Sequence, residues 1–103
     1  RPSLEYGTLG RKYLLTSASQ KQLEVFIGEF DKGGSTGDEP YSHGDSEELL
    51  YVLSGTFEVQ VGNEFFRVTK GDCINYRSSN VHRVQNVGEE PGEVMWIISP
   101  PSM

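Results

Sequence analysis

The 103 residues suffice for one domain with a single modest core, and 15 acidic against 9 basic side chains give a net charge of -6. The basic residues are scattered and form no patch that could neutralise a run of phosphates, which argues against nucleic-acid binding by this segment itself. No apolar run approaches the roughly 20 residues of a membrane span, and a lone cysteine excludes an internal disulfide and suits a reducing, cytoplasmic compartment.

The elements predicted in chain order are strands throughout, because no segment keeps a helical period between caps. Arg1-Pro2-Ser3, without an initiator methionine, reads as linker, so the expectation is a piece of a longer protein. Residues 13–16 form a short candidate strand. Residues 23–30 alternate, with Leu23, Val25 and Ile27 on one face and Glu24 and Phe26 on the other. A Gly, Ser, Asp and Pro-rich loop is predicted over 31–46, and a loop of this length tends to be functional. Strands then come at the close, regular spacing of an all-β barrel or sandwich: 48–53, 56–61, 64–69, 73–76, 82–87 and 93–99. Ser54-Gly55, the hairpin pair Gly62-Asn63 and Lys70-Gly71-Asp72 separate them, and Pro100-Pro101 ends the last.

Within this frame, Asp72 is expected to cap its turn and Asn86 to satisfy backbone groups at a strand end. Cys73 is expected to be a buried thiol. The aromatics Phe26, Phe30, Tyr51, Phe57, Phe65, Phe66, Tyr76 and Trp96 are expected mostly in the core or at sheet interfaces. Glu47 reads as solvated, Arg83 should face away from His82, and the side taken by Arg67 is undetermined.

The chemistry concentrates in His43 and His82, the two histidines of the chain, with Glu48 close behind the first. Residues two apart on a strand share a face. Glu48 therefore sits with Leu50 and Val52, and His82 with Val84 and Asn86, so each polar group stands at the rim of an apolar interior. Two imidazoles and a carboxylate form a divalent-metal ligand set that leaves coordination positions open. Candidate ligands are His43, Glu48 and His82. Tyr41 is a further candidate as ligand, hydrogen-bond donor or loop anchor, and Tyr76, Leu50, Val84 and Asn86 are candidate pocket residues.

With its flanks, the first segment reads Tyr41-Ser42-His43-Gly44-Asp45-Ser46-Glu47-Glu48 and runs on to Gly55. The second reads Gly71-Asp72-Cys73-Ile74-Asn75-Tyr76 and continues to His82-Arg83-Val84-Gln85-Asn86. These resemble the two signature motifs of the cupin superfamily, with six residues between Glu48 and Gly55 and three between His82 and Asn86. Tyr41 stands where the family's first histidine would be, and Asn80 where its proline would be. The resemblance implies an all-β, small antiparallel β-barrel or jelly roll (a double-stranded β-helix) filling residues 1–103 as a single domain, with its core over about 13–99.

The segments around Tyr41-Ser42-His43, Gly71-Asp72-Cys73 and the ending Pro100-Pro101-Ser102-Met103 resemble, more narrowly, the C-terminal cupin domain of Xre-type helix-turn-helix regulators. That resemblance implies a bacterial sensor domain behind an N-terminal DNA-binding domain. Its expected partners are a small-molecule effector and a second copy of itself, with DNA contacted only through the missing domain. A divalent metal (Fe, Zn, Ni or Mn) is the implied cofactor, and the loop over 31–46 is the element expected to respond to the effector. Two alternatives stay open: a mononuclear non-haem metal enzyme (an oxygenase, epoxidase or isomerase) using the same three residues, and a dimerisation module with a dead pocket.

Overall fold

The computed structural model describes residues 3–19 and 21–102. Among them nine strands follow one another: β1 (Leu4–Glu5), β2 (Thr8–Leu14), β3 (Glu24–Ser35), β4 (Glu47–Ser54), β5 (Thr56–Val61), β6 (Glu64–Thr69), β7 (Cys73–Arg77), β8 (His82–Asn86) and β9 (Gly92–Ser99). All pairings are antiparallel, in the order β6-β5-β8-β3-β9-β4-β7, with β2 on the other edge of β3 and β1 on β2. The expected all-β, antiparallel barrel is the fold found. No helix among the described residues is long and apolar enough to cross a membrane.

One long strand joins the two halves of the barrel. β3 pairs with β9 along Glu24–Phe30 and then, beyond Gly33 and Gly34, meets β8 at Ser35↔Gln85. The period of two fixes what lies inside. Glu48, Leu50 and Val52 of β4, Phe57 and Val59 of β5, His82 and Val84 of β8, and Val94, Trp96 and Ile98 of β9 are all fully buried. Burying each large apolar side chain is worth roughly 1.5–3 kcal/mol, so this face carries most of the stability. Phe30 meets Phe57 and Trp96 edge-on, each at 6.1 Å between ring centroids, which ties β3 to both sides of the interior. Gly28 permits this packing, since a Cβ there would come within 2.4 Å of the Trp96 ring.

Four expectations are corrected. The loop over 31–46 is shorter, because β3 continues to Ser35, which is itself buried, and Thr36 N donates to Val84 O at 2.9 Å. The short strand over 13–16 is the end of β2, which starts at Thr8. Cys73 is exposed, because its register partner is Tyr51 and both fall on the outward face of the β4–β7 pair. Phe65 and Phe66 are exposed as well, since β6 pairs only with β5 and leaves its other edge and much of its surface uncovered. Arg67 also points to solvent. The remaining strands fall within two residues of their predicted bounds, and Asp72 caps its turn by accepting from Thr69 N at 2.8 Å.

Candidate metal centre

Three elements converge at one end of the interior. Glu48 enters from β4, where its alternation with Leu50 and Val52 turns it inward, and its register partners are Ile98 and Tyr76. His82 opens β8 and is fully buried. His43 lies on the connection between β3 and β4, and that connection is clamped rather than loose. Tyr41 and His82 exchange backbone hydrogen bonds at 3.0 and 2.8 Å, and His43 N donates to Ser78 O at 3.1 Å. Ser46 N donates to Ser78 Oγ at 2.8 Å, while Ser46 Oγ donates to Pro100 O at 2.6 Å.

The result is a compact donor set. One nitrogen of each histidine and a Glu48 oxygen all lie within 4.8 Å of one another. His43 Nε2 is 2.9 Å from Glu48 Oε1, and His82 Nε2 is 3.8 Å from Glu48 Oε2. His43 Nε2, Glu48 Oε1 and His82 Nε2 are buried atoms without an aligned hydrogen-bond partner, despite that proximity. Buried polar atoms are nearly always satisfied, and three unpartnered ones gathered at one end of the interior are the exception that calls for a ligand.

An outer partner fixes the tautomer of His82. His82 Nδ1 lies 2.7 Å from Asn80 O, and a carbonyl can only accept, so Nδ1 carries the proton and Nε2 keeps its lone pair. His43 Nδ1 meets Ser102 Oγ at 3.0 Å, a partner able to do the same for the other ring. Such outer hydrogen bonds are what orients metal-binding imidazoles. Tyr76 OH donates a short hydrogen bond to Glu48 Oε2, leaving Oε1 as the open carboxylate atom. The residues present therefore fit a divalent ion held by His43, Glu48 and His82.

The electrostatics agree with a site built for a cation. Burial lifts Glu48 to about 7, against smaller opposing effects from the Tyr76 hydrogen bond and Lys12. Burial lowers both histidines, so they stay neutral and able to ligate. Burial likewise raises Tyr6, Tyr41 and Tyr76, which remain protonated phenols.

Tyr41, at the position of the absent histidine, hydrogen bonds through its hydroxyl to Tyr6 OH at 2.8 Å, and its ring packs against His82 at 4.5 Å. It thus walls the site. Tyr76 also packs on His82, at 4.8 Å. Leu50 and Val84 line the interior one alternation away from Glu48 and His82 respectively. Asn86 lies at the other end of β8, and its amide is spent on Phe30 O, Asp31 O and Glu90 O, at 3.0, 3.3 and 2.9 Å. Glu47 is exposed beside Arg77, and Arg83 turns away from His82 to donate to Gly37 O at 2.6 Å. Sequence reasoning missed Ser78, Ser102, Tyr6 and Lys12. The serines carry no pattern, while Tyr6 and Lys12 precede the first predicted strand.

Residues 26–98 match the Cupin domain family. Among curated proteins, the chain is 28% identical over 87 residues to the tetracenomycin polyketide synthase protein TcmJ of Streptomyces glaucescens, covering 84% of this chain and 58% of that protein. It is 34% identical over 61 residues to an uncharacterized protein of Methanocaldococcus jannaschii, covering 59% of this chain and 49% of the other. The chain thus spans about half the length of the curated relatives it matches. Among solved structures, KdgF from Halomonas sp. superposes with a TM-score of 0.84 at 21% identity, over 98% of this chain and 87% of that one. The Cupin_2 domain of an XRE family transcriptional regulator from Enterobacter cloacae gives 0.76 at 18% identity, over 90% and 98%. An HTH_3 family transcriptional regulator from Vibrio cholerae gives 0.76 at 20% identity, over 90% and 52%.

Proposed function

The chain belongs to the cupin family, and on that premise we propose that it is the sensing and dimerising domain of a bacterial transcriptional regulator. In this reading a small-molecule effector binds in the barrel beside a divalent metal held by His43, Glu48 and His82. The observation that carries the metal is the convergence of three orphaned, buried donor atoms on one point. Support for the regulator comes from fold neighbours that are regulator cupin domains. The chain covers 52% of the V. cholerae regulator, so a DNA-binding segment ahead of Arg1 fits the same layout. The effector would act by binding one arrangement of the barrel more tightly than another, and the connection carrying His43 is the element through which that difference would be felt. A homodimer is part of the proposal, because regulators of this layout address paired half-sites.

When bound, a metal with three protein ligands offers Lewis-acid character and open coordination positions. The chain's own groups hold and shield it: Tyr76 orients Glu48, Asn80 and Ser102 orient the imidazoles, and Tyr41 and Tyr6 wall the site. Those open positions, with the likeness to a polyketide synthase protein over 84% of the chain, favour a metal-dependent enzyme as the second reading.

Elemental analysis of the purified chain tests the proposal. Near-stoichiometric iron, zinc, nickel or manganese, lost in His82→Ala, is the expected result. Protein that stays metal-free after reconstitution would overturn the metal, and substrate-dependent O₂ uptake with Fe(II) would transfer the function to the enzyme reading.

A further inference from the structure

A second feature of the interior lies apart from the three donor atoms. Lys12 sits on β2 opposite Gly28 of β3, which in turn pairs with Val94 of β9. Register partners share a face, and Val94 is fully buried, so Lys12 is directed into the barrel. Leu14 lies two residues on, Leu4 directly across on β1, and Phe26 diagonally across as the register partner of Leu14. These four residues line a cavity of about 430 Å³, open to solvent along Leu4 and Leu14, whose wall is otherwise apolar.

The ammonium is held in place by rings rather than by a carboxylate. Lys12 Nζ lies 4.2 Å from the centroid of Tyr6 and 4.6 Å from that of Phe26, within cation–π range. Among the described residues no carboxylate pairs with it: Glu24 and Glu48 act on it only at longer range, and burial lowers its pKa. A half-buried ammonium without a counter-ion is costly, and an apolar wall with one convergent charge is how small-ligand sites are commonly built. The Lys12 charge also acts on Glu48 and His43, favouring the ionised carboxylate and the neutral imidazole.

We infer that this cavity binds a small organic carboxylate, its carboxylate paired with Lys12 and its apolar body lying on Leu4, Leu14 and Phe26. The assignment rests on the sensing reading only in calling that molecule the effector. Three alternatives are less well matched. An amine would meet the like charge of Lys12, a phosphodiester or polyanion would meet a single cation in an apolar wall, and a neutral hydrocarbon would leave the ammonium unpaired.

The test uses hexanoate as probe, with hexanamide and hexylamine as matched controls, titrated calorimetrically into protein stripped of metal on a chelating resin. Hexanoate is expected to bind at least about tenfold more tightly than hexanamide, the amount a charge-assisted hydrogen bond contributes, and hexylamine not at all. Lys12→Met should bring hexanoate down to the level of hexanamide, and Lys12→Arg should keep most of the preference. Methyl resonances of Leu4 and Leu14 should shift with hexanoate in the unsubstituted protein, which locates the site even where a variant fails to fold. Equal binding of acid and amide, a preference for the amine, unshifted methyls, or a folded Lys12→Met that binds hexanoate normally would each overturn the assignment. Stripped protein is used throughout, so a chain that never takes metal yet binds hexanoate loses the metal reading and keeps this one. The converse result does the opposite.

Discussion

Strand β8 carries a buried polar residue at each end, and the two are treated in opposite ways. Asn86 is 1% exposed, and its side chain is fully engaged: three carbonyls accept from its amide nitrogen and Gly88 N donates to its oxygen at 2.9 Å. His82 is also buried, but only Nδ1 is satisfied, and its Nε2 joins the orphaned atoms of His43 and Glu48. A buried polar group costs free energy unless it is partnered. The Asn86 end therefore has the chemistry of a structural clamp. The His82 end has the chemistry of a site that an ion completes.

The sharpest way to break this contrast is Glu48→Gln. The amide keeps the shape and can still accept from Tyr76, but it removes the anionic ligand. Metal affinity is expected to fall by more than about 100-fold, since even outer partners of metal ligands cost 10–100-fold. The metal-free variant should be no less stable than the parent at pH 8, because an unpaired buried charge has been deleted. Titration with Zn²⁺ and denaturant unfolding would measure the two effects. A variant that binds metal normally would remove Glu48 from the ligand set. One markedly less stable without metal would make Glu48 a structural residue like Asn86.

The reciprocal change is Asn86→Ala. It strands the carbonyls of Phe30, Asp31 and Glu90 and the Gly88 amide, so a loss of about 2–4 kcal/mol of unfolding free energy is expected. Metal affinity per folded molecule should be unchanged, because Asn86 contacts no candidate ligand. Denaturant unfolding read alongside metal titration checks both halves. Loss of metal affinity in the folded variant would mean the two ends are coupled.

How far the two ends were legible in the sequence follows from the same physics. Glu48, His82 and Asn86 lie on strands with clean alternation, and a period of two places such residues as soon as one apolar neighbour is known to be inside. That Asn86 would satisfy backbone groups was also readable, but two of its carbonyl partners, Phe30 O and Asp31 O, lie on β3, far away in the chain, and were not. His43 came from motif spacing alone, and nothing local showed that Ser78 and Ser102 would hold its connection in place. Lys12 was invisible for a different reason. Gly10, Lys12 and Leu14 share a face, but Gly, Lys and Leu give no apolar stripe, and which face turned inward was decided by pairing with Gly28, a long-range event. Cys73 and Phe65 failed for the complementary reason. Their types are usually buried, but their faces of β7 and β6 have nothing packed over them.

The contrast should also appear as pH dependence, since Asn86 does not titrate and the other end does. Burial raises Glu48 from 4.5 to about 7 in the metal-free protein. A raised carboxyl pKa means the folded state holds its proton more tightly than the unfolded chain does. The native state is therefore unburdened below pH 4.5, loses stability as pH rises from there to about 7, and is destabilised by roughly 3 kcal/mol above that. The histidines act in the opposite direction. Their pKa values are lowered from 6.5, so the unfolded chain takes up protons first and their contribution erodes as pH falls below 6.5. Metal requires Glu48 ionised, so apparent affinity should drop by about tenfold per pH unit below about 7. Metal titrations at pH 5.5, 6.5 and 7.5 would read this, and Glu48→Gln should abolish the stability loss between pH 4.5 and 7 while Asn86→Ala leaves it in place. If metal affinity does not change between pH 5.5 and 7.5, Glu48 is already ionised before the ion arrives. In that case some group other than the ion compensates its charge, and Lys12, whose charge already favours the ionised carboxylate, is the candidate.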